Sequence, residues 1–181
     1  MDTTRERLRA GFRWVGDRSG YGRYSDVTGW WADAATLDAL GPELAGLFAD
    51  SGPTVVLGPQ SRGTLLGALV ARSIGVGLVE VRKDPGRACD SDAWREATTR
   101  PDYRDRHLRL GVRRDLLRSG DRVLFVDDWV ATGGQVEACH RLVQASGAHW
   151  IGAAVIVDAL PDPRLRRDLE IRGLVRVRDL S

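Results

Sequence analysis

The chain has 181 residues, 43% of them hydrophobic, which predicts one globular domain with a single core. Its 27 Lys and Arg residues nearly balance its 25 Asp and Glu residues, and the net charge of +2 does not indicate a nucleic-acid partner. Cys89 and Cys139 lack the spacing of a zinc site or a disulfide framework, which fits a reducing compartment. No stretch reaches the roughly 18 apolar residues of a membrane helix, so we expect a cytoplasmic protein with no membrane partner.

The first half of the chain predicts a helix and then a strand–helix–strand unit. Leucines recur at helical spacing over residues 36–49, where Thr36 is the candidate N-cap and Pro42 must lie at a break or in a first turn. Three elements with the order of one βαβ unit follow: a strand at 54–58, a helix at 63–74 that Gly75 ends, and a strand at 76–81.

A second unit repeats this order in the second half of the chain. Its elements are a strand at 122–126, a helix with Val136, Cys139, His140 and Val143 on one face that Gly147 ends, and a strand at 150–157. Two such units predict an α/β fold with a parallel-sheet core flanked by helices. The connection at 84–106 is rich in Arg and Asp and has little periodicity. A connection of that length is typical of a flexible lid loop.

Unusual residues follow both predicted central strands, at the edge of a parallel sheet where ligands bind. The second strand is followed by Asp127 and Asp128 and then by a glycine-rich turn at 131–135. Free amides of such a turn and of the next helix can bind a phosphate, and the Thr132 hydroxyl adds a donor. Carboxylates would repel phosphate, so the acid pair is expected to bind hydroxyl groups or a metal. A phosphorylated ribose satisfies both demands; the alternative is an ordinary tight turn beside solvated acids.

Three segments resemble a known family. VLFVDDWVATGGQ at 123–135 resembles the phosphoribosyl-diphosphate (PRPP) signature of the type I phosphoribosyltransferases. The segment at 57–83 resembles the "ESRG" loop, helix and "VRK" strand end of the adenine phosphoribosyltransferase branch, and that at 24–40 resembles its "FRDITPLL" segment. This resemblance covers roughly residues 20–160.

The resemblance implies a type I phosphoribosyltransferase fold in one domain over residues 1–181, with the core at about 36–160. A small hood would come from the N-terminal segment, with the C-terminal tail as a further source. The implied reaction joins PRPP to a nitrogenous base and releases pyrophosphate. It passes through an oxocarbenium-like transition state, so the enzyme must stabilise the leaving group and exclude water. The resemblance also implies a homodimer.

The residue roles follow from the matching motifs. Asp127 and Asp128 would hold the ribose hydroxyls and help to fix Mg²⁺, itself held mostly by PRPP. With Arg62 and Asp105 they form the predicted catalytic set. The 5-phosphate would be bound by Ala131, Thr132, Gly133, Gly134 and Gln135. The pyrophosphate group would be bound by Gln60, Ser61, Arg62, Gly63, Arg82 and Lys83. The alternative is that Arg62 caps a surface turn and that Arg82 and Lys83 form a solvated strand end.

Several positions depart from the family pattern. Counted back from Asp127, the lid Glu of the pattern "YxLEYG" falls on Arg104, although a shift of one or two residues would bring in Asp102 or Asp105. The remaining departures are Ser25 for the Arg of "FRDITPLL", Gln60 for the loop Glu, and Gln135 for the final Thr of "ATGGT". PRPP binding therefore looks retained and base recognition altered.

The base is predicted to contact Trp129, Ser25 and Asp26. The alternative is that Trp129 plugs the hood or a dimer contact, and the same alternatives apply to Trp30 and Trp31. The histidines His107, His140 and His149 lack metal-ligand spacing, and His140 is expected in the core or at its boundary.

Three functions are compatible with this pattern. The first is a Mg²⁺-dependent transferase acting on a purine or another heteroaromatic base, in salvage or in a specialised pathway. The second is a non-catalytic PRPP sensor, which would need a protein partner. The third is a transferase with an acceptor other than a nucleobase.

Overall fold

The structure, a computed structural model, describes residues 3–16, 24–85, 93–100 and 107–180. Within these residues a seven-stranded sheet has the order β5-β6-β4-β3-β7-β8-β9. Its strands are β3 (Val55–Pro59), β4 (Gly77–Lys83), β5 (Trp94–Thr98), β6 (Arg109–Arg113), β7 (Arg122–Val130), β8 (His149–Asp158) and β9 (Ile171–Arg176). The neighbouring strands β4, β3, β7, β8 and β9 are parallel to one another. Strands β6 and β5 extend the sheet beyond β4 in antiparallel pairing. The predicted parallel-sheet core is confirmed.

Six α-helices, two short 3₁₀ helices (Ala49–Ser51 and Val177–Asp179) and a separate two-stranded ladder accompany this sheet in the described part of the chain. The helices are α1 (Thr4–Ala10), α2 (Thr28–Ala32), α3 (Ala34–Gly46), α4 (Arg62–Ile74), α5 (Gly134–Ala145) and α6 (Pro163–Asp168). The ladder pairs β1 (Arg13–Val15) with β2 (Tyr24–Asp26) in antiparallel register. None of the described helices is long and apolar enough to cross a membrane.

Both faces of the sheet are covered, which explains why its central strands are apolar at successive positions. Leu57 and Phe125 belong to a buried cluster with α5, whereas Val56 and Leu124 belong to a second cluster with α3 and α4. The second cluster also contains residues from the N-terminal segment and from the C-terminal end, namely Leu8, Phe12, Trp30, Val175 and Leu180.

The expected start and break of the first long helix are wrong. The N-cap of α3 is Asp33, whose Oδ2 accepts hydrogen bonds from the Thr36 amide (2.9 Å) and the Thr36 hydroxyl (2.6 Å). Pro42 lies inside the helix without ending it. Proline there removes one helical hydrogen bond, but Leu40 and Leu44 on the same helix are fully buried, and that packing holds the helix together.

Two other boundaries differ from the sequence-based expectation. Strand β7 continues to Val130, so the acid pair lies among the last residues of the strand rather than after it. The connection at 84–106 contains β5, which pairs with β6 from Trp94↔Arg113 to Thr98↔Arg109. The strand forms because the edge of β6 offers unpaired backbone groups and because Ala97 packs against the core. The rest of the predicted lid, at 86–92 and 101–106, lies outside the described residues.

One of the two cysteines predicted to be structural thiols lies among the described residues. Cys139 is a free, buried thiol on α5, and burial raises its pKa. This fits the structural thiol that the sequence predicts. Cys89 lies outside the described residues.

Candidate active site

The predicted site residues meet where three parallel strands end. Strand β3 pairs with β4 on one side, with Pro59 opposite Val81, and with β7 on the other, with Leu57 opposite Phe125. The loop after β3, the end of β4 and the acid pair of β7 therefore lie at the same edge of the sheet. The sequence alone predicts this meeting point.

The two carboxylates of the acid pair are buried and have different partners. Asp127 and Asp128 are each only 5% exposed. Asp127 engages the helix that follows the strand, since its Oδ2 accepts a 2.5 Å hydrogen bond from Nε2 of Gln135. Its Oδ1 accepts from the Asp128 amide at 2.9 Å. Asp128 instead faces Arg62 at the start of α4, with Oδ2 2.9 Å from Nη1.

The contact between Arg62 and Asp128 is an ion pair without hydrogen-bond alignment. Although the two charged atoms lie 2.9 Å apart, the buried Oδ2 of Asp128 has no properly oriented donor among the described residues. Arg62 is 49% exposed, so water screens its charge. A buried carboxylate oxygen in this state can accept a ligand hydroxyl or approach a metal ion.

Burial and charge alter the protonation of Asp127. Desolvation raises its pKa well above the ordinary carboxyl value, and the neighbouring charge of Asp128 raises the pKa further. Lys83 at the end of β4 acts in the opposite direction.

Glycine at position 63 lets the loop after β3 approach the acid pair. A Cβ at Gly63 would lie 2.5 Å from Cδ of Pro59 and 3.0 Å from Oδ1 of Asp127. A Cβ at Gly58 would meet the Gly63 carbonyl at 2.4 Å. The Gln60–Ser61 peptide bond in this loop is cis, and the Ser61 side chain makes no cap hydrogen bond to α4. The main chain at Gly63 therefore packs directly against the end of β3 and against Asp127 of β7.

The Gln60 side chain ties this loop to β4. Its Oε1 accepts from the Lys83 amide at 3.1 Å, and its Nε2 donates to Oε1 of Glu80 at 3.3 Å. The other carboxylate oxygen of Glu80 accepts from Nε of Arg82 at 3.0 Å. The Arg82 guanidinium also lies 5.6 Å from the ring centroid of Trp94. Sequence reasoning missed Glu80, although a Glu inside an otherwise apolar strand was a visible signal.

The glycine turn after β7 leads into α5 without a side-chain cap. Gly133 has a left-handed φ of 81°, and a Cβ there would lie 2.6 Å from Cδ2 of Leu165. The cap residue offers no side-chain acceptor to the first turn of α5, and the Gly134 amide reaches only the Thr132 hydroxyl, at the long distance of 3.5 Å. A helix N-terminus whose amides are so weakly engaged favours an anion. A cavity of about 190 Å³ borders the turn, lined by Asp127, Trp129, Val130, Ala131, Thr132, Gly133, Gln135 and Val136.

Two aromatic residues of the N-terminal segment pack against Trp129. The indole stacks on Phe12 at 6.2 Å between centroids and meets Trp14 edge-on at 6.5 Å. Ser25 is the cross-strand partner of Trp14, so β2 brings it into the same neighbourhood. The Trp129 side chain is half-buried, lines the cavity and packs against the core cluster that contains α3 and α4. Sequence reasoning missed Phe12 and Trp14, because they lie more than a hundred residues from Trp129.

The other predicted base-site residues and tryptophans have structural partners. Oδ1 of Asp26 accepts from both the hydroxyl (2.6 Å) and the amide (2.9 Å) of Thr28, and these bonds lower the pKa of Asp26. Trp30 is fully buried and donates from Nε1 to the Leu8 carbonyl at 2.8 Å. Trp31 meets Trp30 edge-on. Trp30 is therefore a core residue.

The predicted proton-transfer residue Asp105, together with Asp102 and Arg104, lies outside the described residues. His140 is partly buried against Trp150 with ring centroids 5.2 Å apart, which confirms its boundary position. In the described ranges, no three His, Cys, Asp or Glu side chains lie close enough together to hold a metal ion.

Comparison with known proteins adds independent findings. A model of the phosphoribosyl transferase domain matches residues 44–178. The adenine phosphoribosyltransferase of Shewanella amazonensis is 36% identical over 154 residues, covering 83% of this chain and 80% of that protein. That of Yersinia enterocolitica is 38% identical over 142 residues, covering 77% and 71%. The crystal structure of adenine phosphoribosyltransferase from Rhodothermus marinus has a TM-score of 0.80 at 28% identity, covering 96% of this chain and 98% of the other.

Proposed function

We propose that this chain, which belongs to the phosphoribosyl transferase domain family, transfers the phosphoribosyl group of PRPP to a purine base and releases pyrophosphate. The observation that carries the proposal is the buried acid pair beside an uncapped, glycine-lined helix N-terminus. The first can bind ribose hydroxyls, and the second can bind a phosphate. Adenine is the first base to test, because the curated relatives are adenine phosphoribosyltransferases.

The two ends of PRPP fit the two ends of the site. The main-chain amides of residues 131–135 and the exposed Thr132 hydroxyl would bind the 5-phosphate. Because the Gln135 side chain is engaged with Asp127, its contribution to the phosphate would be its amide. The ribose would lie over Asp128, whose buried Oδ2 still has a free acceptor position.

The pyrophosphate group would lie against the loop after β3 and the end of β4. Arg62 faces Asp128 there, Lys83 ends β4 with its amide bonded to Gln60, and Arg82 is half exposed beside Trp94. Cations in these positions stabilise the negative charge that accumulates on the leaving group. The Gly63 amide at the start of α4 and the Ser61 hydroxyl would add donors.

The acid pair also fits a magnesium ion that PRPP itself mostly holds. Mg²⁺ in such sites commonly takes one or two protein carboxylates, substrate oxygens and waters. Asp127 and Asp128 would supply those carboxylates, directly or through water, and the unpartnered Oδ2 of Asp128 fits this role. Bound there, Mg²⁺ would neutralise charge on the pyrophosphate.

Trp129 is the proposed wall of the acceptor site. Its ring packs against Phe12 and Trp14 and borders the cavity next to the phosphate turn. Ser25 would face the acceptor from β2, whereas Asp26 would shape the segment through its bonds to Thr28. A carboxylate from Asp105 remains the predicted proton-transfer group.

Three wider expectations accompany the function and stay predictions. We expect one domain, because residues from both chain ends share the cluster that contains α3 and α4. We also expect a homodimer and a cytoplasmic location, as the family resemblance implies.

The experiment is a pyrophosphate-release assay with PRPP, Mg²⁺ and a panel of bases that begins with adenine. Release that requires one purine, with formation of the matching nucleotide, supports the proposal. Tight PRPP binding with no release on any base would favour a PRPP sensor. Release with only a non-purine acceptor would place the chain among the transferases of a specialised pathway.

A further inference from the structure

A second charged group lies beside the phosphate turn and has no assigned role. Glu137 is in the first turn of α5, and its side chain is only 17% exposed. Its Oε1 lies 2.8 Å from Nη2 of Arg100, and its Oε2 lies 4.0 Å from Nη1 of Arg141. Oε2 is buried and receives no hydrogen bond from the described residues.

The carboxylate of Glu137 opposes anion binding at the turn. The residues at 131–135 include no Lys or Arg, so the turn attracts a phosphate only through its amides, its hydroxyl and the helix dipole. A negative charge in the first turn stabilises the helix but repels a phosphate bound at the same end. Because Glu137 is mostly buried, water screens this repulsion poorly.

Arg100 lies where it can cancel that charge. Its guanidinium pairs with Glu137, and its main chain packs directly on the turn, with the carbonyl oxygen 3.4 Å from the place of a Cβ on Gly134. Arg141 helps to hold this segment in place, because its Nη2 donates to the Thr98 carbonyl at 2.5 Å. The position of Arg100 is thus fixed by its backbone, while its side chain remains 71% exposed.

We propose that Arg100 is a positioning residue for the 5-phosphate subsite, acting through Glu137 to keep the N-terminus of α5 favourable for a phosphate dianion. The inference rests on the proposed function for the identity of the ligand. It predicts that Arg100 matters for PRPP affinity only while residue 137 carries a negative charge.

The test is a double-mutant cycle with two probes. KM for PRPP and kcat are measured for the wild type, Arg100→Met, Glu137→Gln and the double variant. Calorimetric titration with ribose 5-phosphate measures the dissociation constant of the same four proteins. Ribose 5-phosphate has no pyrophosphate, so it reports on this subsite even if no base is turned over. Arg118→Met, an exposed arginine near the opposite end of β7, is the matched control.

In Arg100→Met we expect KM for PRPP and the dissociation constant of ribose 5-phosphate to rise about twofold to fivefold, with kcat unchanged at saturating PRPP, because the exposed Arg100 is partly screened by water. The double variant should return to the values of Glu137→Gln, and Arg118→Met should match the wild type. Unchanged binding in Arg100→Met would overturn the inference. An equal loss in the Glu137→Gln background would also overturn it, because Arg100 would then contact the ligand directly. Absence of pyrophosphate release from the wild type would count against the proposed function alone.

Discussion

The side-chain amide of Gln135 donates a 2.5 Å hydrogen bond to Oδ2 of Asp127, eight residues earlier in the chain. This bond connects the acid pair to the helix whose N-terminus forms the phosphate turn. The acid pair proposed to bind the ribose and the amides proposed to bind the 5-phosphate are therefore linked by one side chain. A shorter side chain at position 135 could not reach the Asp127 carboxylate in the same way.

Replacement of Gln135 by Met should destabilise the protein and impair turnover. The change removes the donor to a buried carboxylate at nearly constant side-chain length, which costs about 1–3 kcal/mol in free energy of unfolding. Urea unfolding measures this loss, and initial rates of pyrophosphate release measure the loss of turnover. Gln144→Met, an exposed glutamine on the same helix, is the control and should behave as the wild type. Equal stability of the two variants would show that the bond to Asp127 contributes nothing.

The position of the site could be predicted from sequence, because it depends on local patterns. Apolar runs that end in polar residues define parallel strands, and the carboxyl ends of such strands must share an edge. The bonds among the site residues could not be predicted in this way. Gln60 meets Glu80 and Lys83 only because β3 and β4 pair in one particular register, which the sequence pattern leaves open.

Replacement of Trp129 by Leu should weaken acceptor binding with little effect on PRPP. The indole stacks on Phe12, meets Trp14 edge-on and borders the cavity. Loss of an aromatic contact with a flat base corresponds to a rise of about threefold to tenfold in the acceptor KM. Steady-state kinetics with each substrate varied in turn separates the two effects.

Trp150→Leu is the control for this change. Trp150 is near the amino end of β8, opposite Val123, and donates to the Leu169 carbonyl, so it lies at the other end of the sheet. The Trp150→Leu replacement should lower the free energy of unfolding and leave the acceptor KM unchanged. An unchanged acceptor KM in Trp129→Leu would remove this residue from the acceptor site.

Two strands near the edges of the sheet show where sequence patterns fail. Strand β6 (RLGVR) has an arginine at each end, the outermost strand β9 (IRGLVR) has one after its first residue, and both lack the continuous apolar run of the central strands. Their pairing depends on the neighbouring strand rather than on local propensity. The packing of Phe12 and Trp14 against Trp129 likewise depends on the path of the N-terminal segment over the sheet.

Stability should fall in mild acid partly because of His140. Burial beside Trp150 lowers the pKa of His140 below the ordinary value of 6.5. The unfolded chain therefore takes up this proton more readily, so the free energy of unfolding decreases as the pH falls from about 6.5 through the lowered pKa. Above about pH 7.5 the residue is neutral in both states and contributes no pH dependence.

Urea unfolding of the wild type and His140→Gln across that pH range measures the effect. The variant should lose less stability between about pH 8 and pH 5 than the wild type does. His149→Gln, which changes an exposed histidine, should keep the wild-type slope. Parallel pH profiles for the wild type and His140→Gln would contradict the assignment of this slope to His140.

The most direct test of the account compares Asp128→Asn with the wild type in the pyrophosphate-release assay at varied PRPP, with Mg²⁺ and adenine present. Asp128 is buried and its Oδ2 faces the proposed ribose site, so loss of its charge should lower kcat/KM for PRPP by at least about tenfold. Asp38→Asn, an exposed change on α3, should retain wild-type values. Wild-type kcat/KM in Asp128→Asn would contradict the claim that this acid pair binds the ribose of PRPP.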